Sequence, residues 1–163
     1  MQSETHHARM SAMFTMLAGL QTGILSGIWM LLLLSLISLR HGRSVWSASN
    51  LFATLFYGEE ALRRGLRWFT LSGASLHLVV SALLGILFAF ATSSIENRTY
   101  LRLLGVGSAI AWYWICDEWL WENWTPYLSL YAARFDMVAG HMLFGYLLAA
   151  YPRYRRALVA VAG

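Results

Sequence analysis

Long runs of apolar residues, broken by short polar stretches, set the pattern of this chain. The first, Phe14 to Leu39, has no charged residue. At about 1.5 Å per residue it exceeds a bilayer core of about 30 Å, so it is long enough to span with some tilt. It is too long for a signal-peptide core and no small-x-small cleavage site follows it, so it reads as an uncleaved helix. The others cover about 68–92, 101–121 and 134–151. The pattern predicts an all-α integral membrane protein of four transmembrane helices. Length fits one membrane domain over 1–163.

Within each run, small residues recur every fourth position, drawing one stripe along a helix. The first run carries Gly19, Gly23 and Gly27, and the second Gly73, His77, Ser81 and Gly85. The third carries Gly105, Ala109, Tyr113 and Asp117, and the fourth His141, Gly145 and Ala149. Small-xxx-small surfaces let helix backbones approach closely in lipid.

The polar stretches have their own signals. Residues 1–13 read as a short surface tail, with His6 and His7 solvated. Between the first two runs, Ser49 or Asn50 is a candidate cap for an amphipathic helix over about 49–64, ending at Gly65. Its apolar face is Leu51, Phe52, Leu55, Phe56 and Leu62; Glu59 to Arg63 and Glu60 to Arg64 are i,i+4 pairs. That is the pattern of a helix in the membrane interface. Asn97-Arg-Thr is a formal glycosylation sequon, meaningful only on a lumenal face. The segment WYWICDEWLWENW reads as an aromatic belt at the end of the third span.

Composition supports a membrane environment. The chain is 58% hydrophobic and 12% charged, with a mean hydropathy of +0.53. A soluble domain carries about 25% charged residues. All twelve cations are arginine, a weak hint of a GC-rich bacterial genome and hence of a bacterial inner membrane. No basic patch is interleaved with exposed aromatics, so nucleic acid is not an expected partner. A single cysteine, Cys116, excludes an intrachain disulfide and a cysteine metal cage.

The arginines do not orient the chain. Arg9, Arg98, Arg102, Arg153, Arg155 and Arg156 lie on one side of a four-span topology. Arg40, Arg43, Arg63, Arg64, Arg67 and Arg134 lie on the other, which ties the positive-inside comparison.

Four spans put the first and third loops on one side of the membrane. His77 and His141 are then both offset toward that side, by about 3–5 Å from their helix centres, and can share a depth. Asp117 and Asp136 lie nearer the surface on the same side, an expected polar cluster. Intramembrane ionisable residues face a bundle interior or a cavity. The histidine pair has three readings: axial ligands to heme b or another tetrapyrrole, proton, ion or metal handling, or hydrogen bonding that fixes packing.

No phosphate loop, Cys-x-x-Cys, His-Glu-x-x-His or nucleophile elbow is present. The expected role is an accessory or assembly subunit of a larger membrane complex, without catalytic activity of its own. Glycine stripes on four helices would then contact the bilayer-embedded partners or a second copy. The alternative is a small redox or ion-handling protein that uses His77 and His141.

Overall fold

The computed structural model describes residues 2–63, 65–124 and 126–162, with side chains from residue 9 onward apart from 129. His6, His7 and Arg64 therefore have no described side chain. Among the described residues the only regular secondary structure is helix, with no strand. Two helices are long and apolar enough to cross a membrane: α1 (Gln2–Arg40), through its Arg9–Arg40 part, and α3 (Trp68–Ala91).

α1 starts at Gln2, so the expected tail over 2–13 is helix. The apolar pattern marks where a helix meets hydrocarbon. It does not mark where the hydrogen-bonded backbone starts, and no proline or glycine interrupts residues 2–13.

The amphipathic helix is also shorter than expected. α2 runs over Ser47–Tyr57 and is followed by a 3₁₀ turn, Gly58–Leu62. Gly58 has φ +54°, open to glycine without strain, and ends the helix there. Glu59 and Arg63 are thus not stacked on an α-helical face, and they form no ion pair. Neither Ser49 nor Asn50 is the cap, because Trp46 holds that position. Asn50 is buried and reaches across the loop instead. Its Nδ2 donates to the carbonyls of Arg63 (3.1 Å) and Gly65 (3.2 Å), and Thr70 Oγ1 donates to its Oδ1 (2.6 Å).

α4 (Arg98–Ile115) is capped by Asn97, whose Oδ1 accepts from the backbone N–H groups of Thr99 and Tyr100. It continues into a π-helical segment, Cys116–Trp121, and a last turn, Glu122–Trp124. α5 (Pro126–Tyr131) follows, then α6 (Arg134–Leu148). The fourth expected span therefore stops at Leu148. The arginine-bearing end of the chain is a separate amphipathic helix, α7 (Tyr151–Ala162). Pro152 sits in its first turn, where no intrahelical N–H is needed.

Packing follows the small residues. α1 lies along α3 on one side and α6 on the other, and α4 packs on α6. A Cβ on Gly85 would stand 2.6 Å from the Gly23 Cα, and one on Gly19 would stand 2.8 Å from the Ile86 Cα. Gly105 and Gly145 face each other in the same way across α4 and α6, with a Cβ on Gly145 at 2.8 Å from the Val106 Cα. Gly73 packs against the Ser49 and Ala53 backbone of α2. α2 therefore lies against α3 as part of the bundle, burying Ala48, Leu51, Ala53 and Thr54.

Candidate functional site

The stripe on α3 faces inward: Gly73, His77, Ser81 and Gly85 are all buried. Because glycines hold α1 and α3 close, the His77 ring reaches the α1 backbone. Its Nε2 lies 3.1 Å from the Gly27 carbonyl oxygen. That oxygen can only accept, so the N–H is on Nε2 and the ring's lone pair is on Nδ1. Phe52 of α2 covers one side of the ring, with centroids 4.8 Å apart.

His141 on α6 shows the opposite tautomer. Its Nδ1 lies 2.8 Å from the Met137 carbonyl oxygen, one turn back on its own helix, which leaves the lone pair on Nε2. The Tyr113 ring of α4 lies 5.2 Å away, centroid to centroid. Neither free nitrogen, His77 Nδ1 nor His141 Nε2, has a hydrogen-bond partner among the described residues.

The two histidines line one cavity of about 370 Å³. It lies between α3 and α4, with Met30 of α1 and Phe144 of α6 also on its wall, and it is overwhelmingly apolar. Leu83 and Leu87 sit on its wall and are also exposed on the outer face of α3, so the cavity opens sideways. The π-helical segment supplies Cys116, Asp117, Leu120 and Trp121 at the end nearest α5. A π segment adds a residue to the turn and is frequent at functional sites. Pockets of this size, apolar with a few convergent polar groups, are typical ligand sites.

Asp117 lies on the wall and Asp136 does not. Tyr113 Oη donates to Asp117 Oδ2 (3.3 Å), and Arg134 Nε approaches the same oxygen at 3.4 Å from an exposed position. Asp136 instead pairs with His41 (3.3 Å) below the first loop. The expected polar cluster is therefore two separate contacts: Arg134, although only two residues before Asp136, turns to Asp117 and Glu118, and Asp136 meets His41 at the end of α1. Tyr113 and Cys116 complete the polar wall. Tyr113 was visible as part of the fourth-residue series on the third run; Phe52 carried no local signal, because its contact with His77 depends on how α2 docks.

The glycines named above, Gly19, Gly23, Gly27, Gly73, Gly85, Gly105 and Gly145, all meet other parts of this chain. They are used in internal packing and do not form a spare docking surface. Among the described residues, no group of three or more His, Cys, Asp or Glu side chains is placed to hold a metal ion. Comparison with known protein families, with curated proteins and with solved structures finds no match.

Proposed function

We propose that this chain is a four-span membrane protein that holds a membrane-soluble amphiphile in the cavity between α3 and α4, anchored by His77 and His141. The observation that carries the reading is that both histidines line one apolar cavity while each keeps a nitrogen free. α4 and α6 would be the remaining spans. With its π segment and last turn, α4 extends about 40 Å, while α6 extends about 22 Å and calls for local bilayer thinning. Their outer faces carry Leu103, Ile115, Met142 and Tyr146 toward the surroundings, as lipid contact requires. The sideways opening past Leu83 and Leu87 gives a lipid-borne ligand a path in from the bilayer.

Mass spectrometry of the organic extract of the detergent-purified protein tests this. A small amphiphile should co-purify with the natural chain, and it should be depleted in a His77→Leu, His141→Leu variant that retains its helical spectrum. An extract with no such molecule, equal to that of an unrelated membrane protein, would refute the reading. An absorption spectrum of the same sample separates a tetrapyrrole, which shows a strong Soret band, from a colourless ligand.

A further inference from the structure

The hydrogen bonds that fix the two histidine tautomers also select what they can hold. We infer, resting on the ligand-binding reading above, that the cavity takes the reduced, hydroquinone form of a tailed aromatic ligand in preference to the oxidised quinone.

The Gly27 and Met137 carbonyls hold the one N–H of each neutral ring. What remains is a lone pair on His77 Nδ1 and another on His141 Nε2, on two rings that line the same cavity. A ligand that fills the cavity would cut each acceptor off from water, so the favoured ligand brings two donors. A hydroquinone has two hydroxyl groups on one flat ring. Its quinone has two carbonyl oxygens, which meet these lone pairs with repulsion and no bond.

The donors on the wall do not reverse this choice. The Ser81 hydroxyl and the Trp112 and Trp121 indoles can serve a carbonyl oxygen or a hydroxyl oxygen equally, so they do not distinguish the two oxidation states. The Tyr113 proton is already given to Asp117. The flatness of the head is set by aromatic walls: Phe52 beside His77, Tyr113 beside His141, and Phe144 between the helices. Along α3, Val80, Leu83, Leu84 and Leu87 continue from His77 toward the lateral opening, a run of about 15 Å that suits an apolar tail. A carboxylate-bearing tetrapyrrole fits less well, because among the described residues the wall carries no arginine to meet its acid groups.

The test compares a decyl-substituted benzohydroquinone with its quinone, on the full chain in phosphatidylcholine nanodiscs, under anaerobic conditions. Binding is read by quenching of tryptophan fluorescence and by thermal shift. The reduced form should bind at least about tenfold tighter, as expected if the two hydrogen bonds contribute one tenfold factor between them. Its midpoint potential should rise on binding by about 30 mV, the equivalent of that factor for a two-electron couple. His77→Phe and His141→Phe should each lower the ratio of reduced-form to oxidised-form affinity. Equal affinity for the two forms, or tighter binding of the quinone, overturns the inference and leaves the ligand-binding reading standing. If neither form binds but another amphiphile co-purifies, the inference alone fails. If neither binds and nothing co-purifies, both fail. The comparison on the natural chain stands even if a variant does not fold.

Discussion

The Gly85→Ala substitution measures how much of the bundle rests on close backbone approach between α1 and α3. A Cβ at this position would stand 2.6 Å from the Gly23 Cα and 2.8 Å from the Gly23 N, and closer still to the Gly19 carbonyl oxygen. Ordinary carbon contacts lie at about 3.5–4.0 Å, so the helices must part locally by about 1 Å. These neighbours are backbone, and no rotamer change relieves them. Overpacking of this kind costs about 1–3 kcal/mol, and a gap of that width forfeits a quarter to a half of each dispersion contact along the seam. Two turns away the His77–Gly27 hydrogen bond, at 3.1 Å, depends on the same separation. Its loss adds about 1 kcal/mol. Against this, alanine favours a helix over glycine by about 1 kcal/mol. The net loss should be about 2 kcal/mol. Gly107→Ala is the control, since nothing stands within 4 Å of a Cβ there, and it should be neutral or stabilising by up to about 1 kcal/mol. Unfolding in mixed micelles by titration with a denaturing detergent, followed by tryptophan fluorescence, reads both variants. Equal stability of Gly85→Ala and Gly107→Ala would refute glycine-dependent packing.

Three further outcomes follow from other contacts. Asn50→Ala removes one buried and two half-buried hydrogen bonds that tie the Arg63 and Gly65 carbonyls and α3 to α2; it should cost about 2–4 kcal/mol and speed limited tryptic cleavage between α2 and α3, whereas unchanged proteolysis would count against the pin. Tyr151→Phe removes the hydrogen bond from Tyr151 Oη to the Thr92 carbonyl (2.8 Å) and should cost about 1 kcal/mol, read by the same detergent titration; a neutral result would mean that this bond does not hold α7 in place. Reporter fusions at the two ends of the chain should fall on the same side of the membrane, as four spans require, and opposite sides would refute the count.

The sequence made some features legible and hid others for physical reasons. The fourth-residue stripes are intrinsic to helix geometry, so the buried faces of α1, α3 and α4 could be read directly, whereas on α6 the stripe met the buried face only at Gly145, beside Met137, Gly140, Phe144 and Leu148. The ends of helices could not. Residues 2–13 are polar and 151–162 amphipathic, yet both are helical, because propensity and hydrocarbon burial are separate properties and the pattern reports only the second. Asn50 misled in a different way. Its residue type suits a cap, and its actual partners lie at Arg63, Gly65 and Thr70, contacts that only the docking of α2 creates. The π-helical turn at Cys116–Trp121 carries no proline or glycine to announce it. Helix parity placed His77 and His141 at similar depth, but depth says nothing of the void between them. That void depends on how far α3 and α4 diverge.

The divergence itself follows from where the glycines and the large side chains fall. Gly19 and Gly23 meet Gly85, and Gly105 meets Gly145, all toward the end where α3 and α4 are joined by the short loop at 92–97. Phe88 also packs edge-on against Tyr151 there, at 6.1 Å between centroids. Each glycine contact makes a tight pair, α1 with α3 and α4 with α6. The two pairs meet mainly along α1 and α6, where Met30 and Leu34 pack on Gly140, and the Phe88 side chain of α3 reaches Gly105 of α4. Toward the other end the facing positions become Phe52, Trp112, Tyr113 and Trp121, which are too large for backbone contact. Two closely packed pairs hinged along one seam, with small residues at one end and aromatics at the other, form a wedge. α2 and α5 close its wide end, with Leu128 buried beneath them, and Arg43 Nη1 ties that cover down by donating to the Tyr131 carbonyl at 2.9 Å. The histidines lie on the same stripes as the glycines but beside the aromatic side chains, which is why a residue pattern that serves packing also leaves two imidazoles lining an open volume.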